Sequence, residues 1–138
     1  MKLVSLRELQ DSLSRCSATT AYLDTFYEVF LAKSPEIRAG FQGVDMGVQK
    51  QRLAARLPRL LELATCEPTS AEVLEAARLH SARHHGRGAQ QTDLWLEALC
   101  ETFRRHDPDF DASLEEQLRR QMSKVLAWLQ PHSSSEAG

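Results

Sequence analysis

Three histidines, His80, His84 and His85, lie close together and offer the clearest chemistry in this chain. His80 and His84 are one helical turn apart, and two imidazoles at this spacing can bind one metal ion. The general-base glutamate of a zinc protease is missing, because Ser81 follows His80. Neither a thiol pair nor a third carboxylate accompanies the histidines in the sequence. The pattern therefore gives little support to a zinc site.

The position of each histidine in the sequence pattern separates their roles. His80 follows Leu79 on the apolar side of a predicted amphipathic helix, whereas His84 runs into the breaker Gly86-Arg87-Gly88. A single buried imidazole beside an apolar cavity suits an axial ligand of haem iron. From the residue alone, a structural histidine in the core is the commoner interpretation, and both stay open at this point.

Capping boxes predict where three of the helices begin. Each box places a hydroxyl three residues before a glutamate, so that the pair can satisfy two backbone amides at a helix start. We predict helices that begin near residues 5, 69 and 113. The pairs are Ser5 with Glu8, Thr69 with Glu72, and Ser113 with Glu116.

Apolar residues at helical spacing predict the remaining helices. Pro35 predicts the start of a short helix, and Pro58 predicts a bend about one turn earlier, near Ala54. No segment alternates like a β-strand, so we predict an all-α fold, with a four-helix bundle and a globin both open at this point. The stripes are Tyr22, Phe26, Val29, Phe30; Val48, Leu53, Leu57, Leu60, Leu61; Leu74, Ala77, Leu79; Trp95, Leu99, Phe103; and Leu114, Leu118, Met122, Val125, Leu129.

Length and charge limit the function classes. The 138 residues suit one domain, and a net charge of −2 with interspersed acids and bases gives no footprint for nucleic acid. No apolar run approaches the length of a membrane span or a signal peptide. We predict one domain over residues 1–130 and a disordered polar tail over residues 131–138, with no nucleic-acid or membrane partner.

The cysteines and an aspartate cluster have plain interpretations. Cys16, Cys66 and Cys100 are odd in number and far apart, which favours inert thiols and a cytoplasmic location. The stretch from Asp107 to Asp111 begins like a calcium loop, but the glycine and the terminal glutamate that such a loop requires are replaced. We interpret these aspartates as helix-capping acids.

The segment FYEVFLAKSPEIRAGF, residues 26–41, closely resembles the globin domain of flavohaemoglobins and the bacterial single-domain globins. In that family a Phe-Tyr pair, a Pro-Glu turn and an isolated Phe follow one another at the same spacing. The segment DMGVQKQRL, residues 45–53, resembles the start of the family's distal helix. LHSARHHGRGAQQTDLWLEAL and RRHDPDF resemble proteobacterial globin-like proteins in which a His precedes a Trp by fifteen residues, as His80 precedes Trp95. Together these segments span roughly residues 18–129.

This resemblance implies a globin fold of about six to eight helices around haem b. His80 would be the iron ligand on the proximal side. On the distal side, the Tyr27 hydroxyl would donate to bound O₂, and Gln49 would share this task. Phe41 would pack against the haem face, and Leu53 would restrict the volume above the iron.

Other residues of the expected site carry alternatives. Arg52, one position before Leu53, is a candidate partner of a haem propionate, with a surface ion pair as the alternative. His84 is the alternative iron ligand or a propionate partner, and Trp95 is expected to contact the cofactor. Thr92 stands where flavohaemoglobins carry a proximal tyrosine, and no glutamate near Gln130 matches their proximal glutamate. The partners that tune the iron are therefore changed.

The resemblance implies reversible binding of O₂, and of NO and CO, at a five-coordinate iron. One alternative is a gas or redox sensor that acts through a partner protein. Another is NO dioxygenase-like activity with a separate reductase, because this chain carries no reductase domain. A haem-free globin-like interaction module is the third, and a homodimer is left open.

Overall fold

The computed structural model describes residues 5–67, 69–83 and 89–129, with the backbone alone for residues 79–83 and 89–91. Within these residues all regular secondary structure is α-helical, so the all-α prediction is confirmed. The predicted tail, residues 131–138, lies outside the described residues. The helices are α1 (Leu6–Cys16), α2 (Ala21–Ala32), α3 (Pro35–Gly40), α4 (Met46–Leu63), α5 (Ala71–Arg83), α6 (Ala89–His106) and α7 (Ala112–Leu129).

The start of α1 confirms the first capping box. The Ser5 hydroxyl accepts a hydrogen bond from the Glu8 amide at 3.2 Å, and the Glu8 carboxylate accepts one from the Ser5 amide at 3.3 Å. Two of the amides that lack a partner within the helix are thereby satisfied.

The other two capping boxes predict the helix starts correctly to within two residues but name the wrong cap. The Ser70 hydroxyl accepts from the Val73 amide at 3.3 Å before α5, where Thr69 was expected to act. The Asp111 carboxylate accepts from the Leu114 amide at 2.8 Å before α7, in place of Ser113. Ser and Asp cap helices as well as Thr does, and a carboxylate also complements the positive end of the helix dipole. The neighbouring residue therefore takes the cap.

The two prolines behave differently. Pro35 occupies the first turn of α3, where its missing amide costs nothing, and the Ser34 hydroxyl caps that helix by accepting from the Glu36 amide at 3.1 Å. Pro58 lies inside α4, which runs from Met46 to Leu63 without interruption. Pro58 has no amide hydrogen, so the hydrogen bond to the carbonyl one turn earlier, at Ala54, is missing, and the bend expected there stays a prediction.

The core forms where α2 packs against α6 and where α5 and α6 pack against α7. The stripe predicted for α7 is buried throughout. Two predicted stripe members are exposed instead: Val48 keeps 38% of its surface in solvent and Leu74 keeps 58%. Val48 precedes Leu53 by five residues, which is about 140° around a helix, so the two cannot share a face. None of the described helices has the length and apolar character that a membrane span requires.

Candidate functional site

An aromatic cluster lies where α2 meets the turn after α3. The ring centroids of Tyr27 and Phe41 are 5.9 Å apart, and those of Phe30 and Phe41 are 6.2 Å apart, both edge to face. Tyr27 is 92% buried and Phe41 is half-buried against the core. Helix α2 and the short α3 thus bring two of the predicted site residues together, with a geometry that aromatic rings favour.

The Tyr27 hydroxyl faces the first turns of α4. It donates a hydrogen bond to the backbone carbonyl of Gln49 at 3.3 Å. Burial raises the pKa of Tyr27, and the positive charge of Arg56 opposes this only in part. The phenol therefore stays neutral near pH 7 and keeps its proton to donate.

Helix α4 places Gln49 and Leu53 one turn apart on the same side. Leu53 is buried, and Gln49 is half-buried. The Asp45 carboxylate fixes the start of this helix by accepting from the Val48 amide at 3.3 Å. The structure therefore brings Tyr27, Phe41 and Gln49 to one region, with Leu53 one turn further along α4.

The basic residues of α4 differ in burial. Arg52, the predicted propionate partner, is exposed, whereas Arg56 is half-buried. Arg56 follows Leu53 by three residues, lies on the same face of the helix, and is close enough to affect the Tyr27 hydroxyl. The sequence reasoning missed Arg56, although its spacing from Gln49 and Leu53 was available as a signal.

Phe26 is the second residue that the sequence reasoning missed at the site. Its ring lies 5.0 Å from that of Tyr27 and 5.7 Å from that of Trp95, in both cases edge to face. Phe26 is completely buried, while Trp95 is half-buried. Trp95, the predicted site residue on α6, is therefore connected to Tyr27 through the ring of Phe26.

Helix α5 carries the predicted iron ligand. His80 belongs to its described backbone, two turns after Val73, which is buried, and one turn after Ala76, which packs on the core. The side chain of His80 and the whole of His84 lie outside the described residues. The described part of α5 extends to Arg83, and the glycines that were predicted to end this helix lie outside the described residues.

Metal-binding clusters are not found among the side chains that the structure describes, a set that does not include the three adjacent histidines. Thr92, which stands at the position expected for the proximal tyrosine of flavohaemoglobins, is half-buried on α6. The site that the described residues form is therefore an apolar, aromatic face with one neutral phenol donor. Such a face can hold a flat apolar cofactor and offer a hydrogen bond to a small polar ligand.

Comparison with known proteins identifies the family. No protein-family model and no curated protein matches the sequence. Among solved structures, the chain is similar to protein PA3967 from Pseudomonas aeruginosa PAO1, which is structurally highly homologous to a human hemoglobin. The two chains are 33% identical over 90% of this chain and 94% of that chain, with a TM-score of 0.80. This likeness confirms the predicted globin fold and the predicted resemblance to bacterial globins. It does not single out the flavohaemoglobins. The chain belongs to the bacterial globins.

Proposed function

We propose that this globin binds haem b through His80 and binds O₂ reversibly, together with NO and CO, at a five-coordinate iron. One observation carries the proposal: the hydroxyl of the buried Tyr27 meets the turn of α4 that holds Gln49, with Leu53 and Phe41 beside it. A neutral donor in a water-poor pocket is what a weakly charged diatomic ligand needs.

The described residues fit haem. The region around Tyr27 is lined mainly by aromatic and aliphatic side chains, which suit the apolar face of a porphyrin, with the half-buried Arg56 as a cation beside them.

Tyr27 and Gln49 would act directly on the bound gas. The Tyr27 hydroxyl has to leave the Gln49 carbonyl to donate elsewhere, and the 3.3 Å length of that bond makes the exchange inexpensive. One good donor contributes about 0.5–1.5 kcal/mol, and more when the acceptor carries charge. Leu53 and Phe41 would exclude water and limit the ligand to small molecules.

The proximal side favours reversible binding over peroxide chemistry. Thr92 cannot supply the phenol that supports the proximal histidine of flavohaemoglobins, so His80 would remain a neutral ligand. Haem supplies an iron that binds diatomic gases, and the contribution of this chain is to hold it, to shield it and to place one or two hydrogen-bond donors beside it.

Absorption spectra of the ferric, ferrous and CO forms test the proposal. Wild-type protein reconstituted with hemin is compared with His80→Ala and with His84→Ala, which is the matched control one turn away. We expect a five-coordinate ferrous spectrum that is lost in His80→Ala and kept in His84→Ala. The reverse result would move the ligand to His84, and no Soret band in the wild type would make the chain a haem-free interaction module.

A further inference from the structure

The first turns of α4 are joined to α2 at two polar points. The Tyr27 hydroxyl donates to the Gln49 carbonyl at 3.3 Å, and the Lys50 ammonium lies 2.8 Å from the Asp24 carboxylate. Asp24 and Tyr27 are three residues apart and therefore neighbours on the surface of α2. Gln49 and Lys50 are consecutive on α4. We call these four residues the α2–α4 tie.

The backbone gives this end of α4 little rigidity of its own. Gly47 lies in the first turn, where a residue without a side chain lowers helix stability. The Asp45 cap accepts its hydrogen bond at 3.3 Å, near the long end of the range. Gly43, just before, adopts a φ of 76°, which belongs to a turn and not to a helix. The position of Gln49 therefore depends on contacts from α2.

A bound gas would remove one of these contacts. If Tyr27 donates to the ligand, its hydrogen bond to the Gln49 carbonyl is lost at that moment. The ion pair between Lys50 and Asp24 involves other atoms and is unaffected by that exchange. Among the contacts that the structure describes, it then holds the first turns of α4 against α2.

We propose that Asp24 and Lys50 are positioning residues of the distal pocket, which keep Gln49 in place while Tyr27 turns to the bound gas. This rests on the proposed function, since it names the residues that regulate ligand release at the same site. The pair joins two different helices beside Gln49. The Arg59–Glu62 pair on α4, at 3.6 Å, lies within one helix and cannot position α4 against a neighbour.

Oxygen dissociation kinetics of the haem-loaded protein test the proposal. Lys50→Met keeps the apolar part of the side chain and removes the charge, and Asp24→Asn removes the partner charge. Because the pair is partly exposed, with 32% of the lysine and 63% of the aspartate side chain in solvent, we expect each variant to release O₂ roughly two- to fivefold faster at low salt. The matched control, Arg59→Met, should leave the rate unchanged.

Ionic strength and a charge swap sharpen the test. Salt screens an exposed pair, so the wild-type dissociation rate should rise toward that of Lys50→Met between low and high salt, while the variant stays flat. Exchanging the two charges in Asp24→Lys with Lys50→Asp should restore most of the wild-type rate.

A double variant separates positioning from general stability. If the pair acts through Gln49, Lys50→Met should have no further effect on O₂ release in a Gln49→Leu background. Melting temperatures of the same variants measure the effect on stability separately. Unchanged rates in Lys50→Met and Asp24→Asn, with normal gas binding, would overturn the positioning role alone. An effect of full size in the Gln49→Leu background would also overturn it. A failure to take up haem would overturn the proposed function, and with it this inference.

Discussion

Two polar clusters join distant segments of the chain, but water reaches them to different degrees. One is the α2–α4 tie. The other, which we call the corner, consists of Ser12 and Arg15 on α1 with Asp107 and Asp109 in the turn between α6 and α7. At the corner, the Asp107 side chain is fully buried and accepts from Arg15 at 2.6 and 3.0 Å and from Ser12 at 2.5 Å. In the tie, the Asp24 carboxylate is 63% exposed. In the corner the carboxylate of Asp107 is fully hydrogen-bonded, whereas the tie consists of two separate contacts.

This difference assigns different tasks to the two regions. Asp107 links α1 to the turn between α6 and α7 with bonds from four donors, including the Asp109 amide at 3.0 Å. Such a network specifies one arrangement, because any shift leaves a buried charge without partners. The tie can exchange its contacts at small cost, since water solvates whatever is released. We infer that the corner fixes the frame and that the distal side stays adjustable.

Arg15→Met should have the largest effect on stability. It leaves the buried Asp107 carboxylate without its cation, although Ser12 and the Asp109 amide still donate to it. Removing one partner of a fully buried pair costs about 3–5 kcal/mol. Because Arg15 keeps 35% of its side chain in solvent and other donors to Asp107 remain, we expect a loss of about 2 kcal/mol. Urea unfolding of the two proteins measures the difference.

The control for this variant lies on the same helix. Arg7 pairs with Asp11 at 3.9 Å in an exposed position, so Arg7→Met should leave the midpoint of unfolding almost unchanged. Equal losses in the two arginine variants would show that the corner contributes no more than a surface pair.

Tyr27→Phe should change gas release strongly and stability little. It removes the hydroxyl but keeps the ring that packs on Phe41. If the hydroxyl donates to bound O₂, its loss should speed dissociation by about 10-fold or more, as expected for a hydrogen bond of about 1.5 kcal/mol. Tyr22→Phe is the matched control, because Tyr22 is an equally buried tyrosine on α2. Stopped-flow displacement of O₂ by CO measures the rates. Equal rates for both variants would show that the Tyr27 hydroxyl does not donate to bound O₂.

Acid should weaken the corner through Asp107. Burial alone would raise the pKa of this carboxyl, but the hydrogen bonds from Arg15 and Ser12 outweigh it and hold the pKa below its usual value. Because the pKa of Asp107 is lower in the folded than in the unfolded protein, its carboxylate stabilises the fold fully at pH values above the unfolded-state pKa of about 4. This stabilisation is lost as the pH falls through the folded-state pKa.

Asp107→Asn makes this acid dependence measurable. The variant should be less stable than the wild type at pH 6, and the two should converge as the pH falls through the lowered folded-state pKa of Asp107, where the wild-type carboxyl binds a proton. Free energies of unfolding in urea at several pH values test this. Parallel curves would mean that Asp107 does not account for the acid sensitivity, and would direct attention to Glu97 and Glu115, whose pKa values are lowered chiefly by hydrogen bonds from Arg119 and Arg104.

The sequence predicted the helices well because their signals are local. Capping side chains and apolar spacing act within a few residues, and the errors were small: caps shifted by one or two residues, as at Ser70 and Asp111, and two residues of predicted apolar stripes, Val48 and Leu74, that are exposed. The expected capping role of the aspartates is confirmed for Asp111. Asp107 does something else, which no local pattern reveals, since its partner Arg15 lies 92 residues away.

The cysteines also show what the sequence can predict. Composition predicted inert thiols, and burial indeed raises the pKa of Cys16 to about 12 and that of Cys100 to about 11.

At the site, the resemblance supplied Tyr27 and Gln49, which the structure brings together. It could not supply Phe26 or Arg56, because their importance depends on packing between helices. The roles of His80, Arg52 and Trp95 stay predictions.

Gly47→Ala should have the smallest effect and bears on the adjustable side of the comparison. Alanine favours a helix over glycine by up to about 1 kcal/mol in a helix interior, and less in the first turn. The added Cβ would lie 3.2 Å from Asp45 Oδ1, so the capping carboxylate must move by a few tenths of an ångström. Asp45 is exposed, and its side chain can make that adjustment. We therefore expect a net stabilisation of about 0.3–0.5 kcal/mol in urea unfolding. Gly40→Ala is the control, since a Cβ there meets nothing within 4 Å. A destabilised Gly47→Ala would mean that the Asp45 cap, and not the α2–α4 tie, holds the first turn of α4.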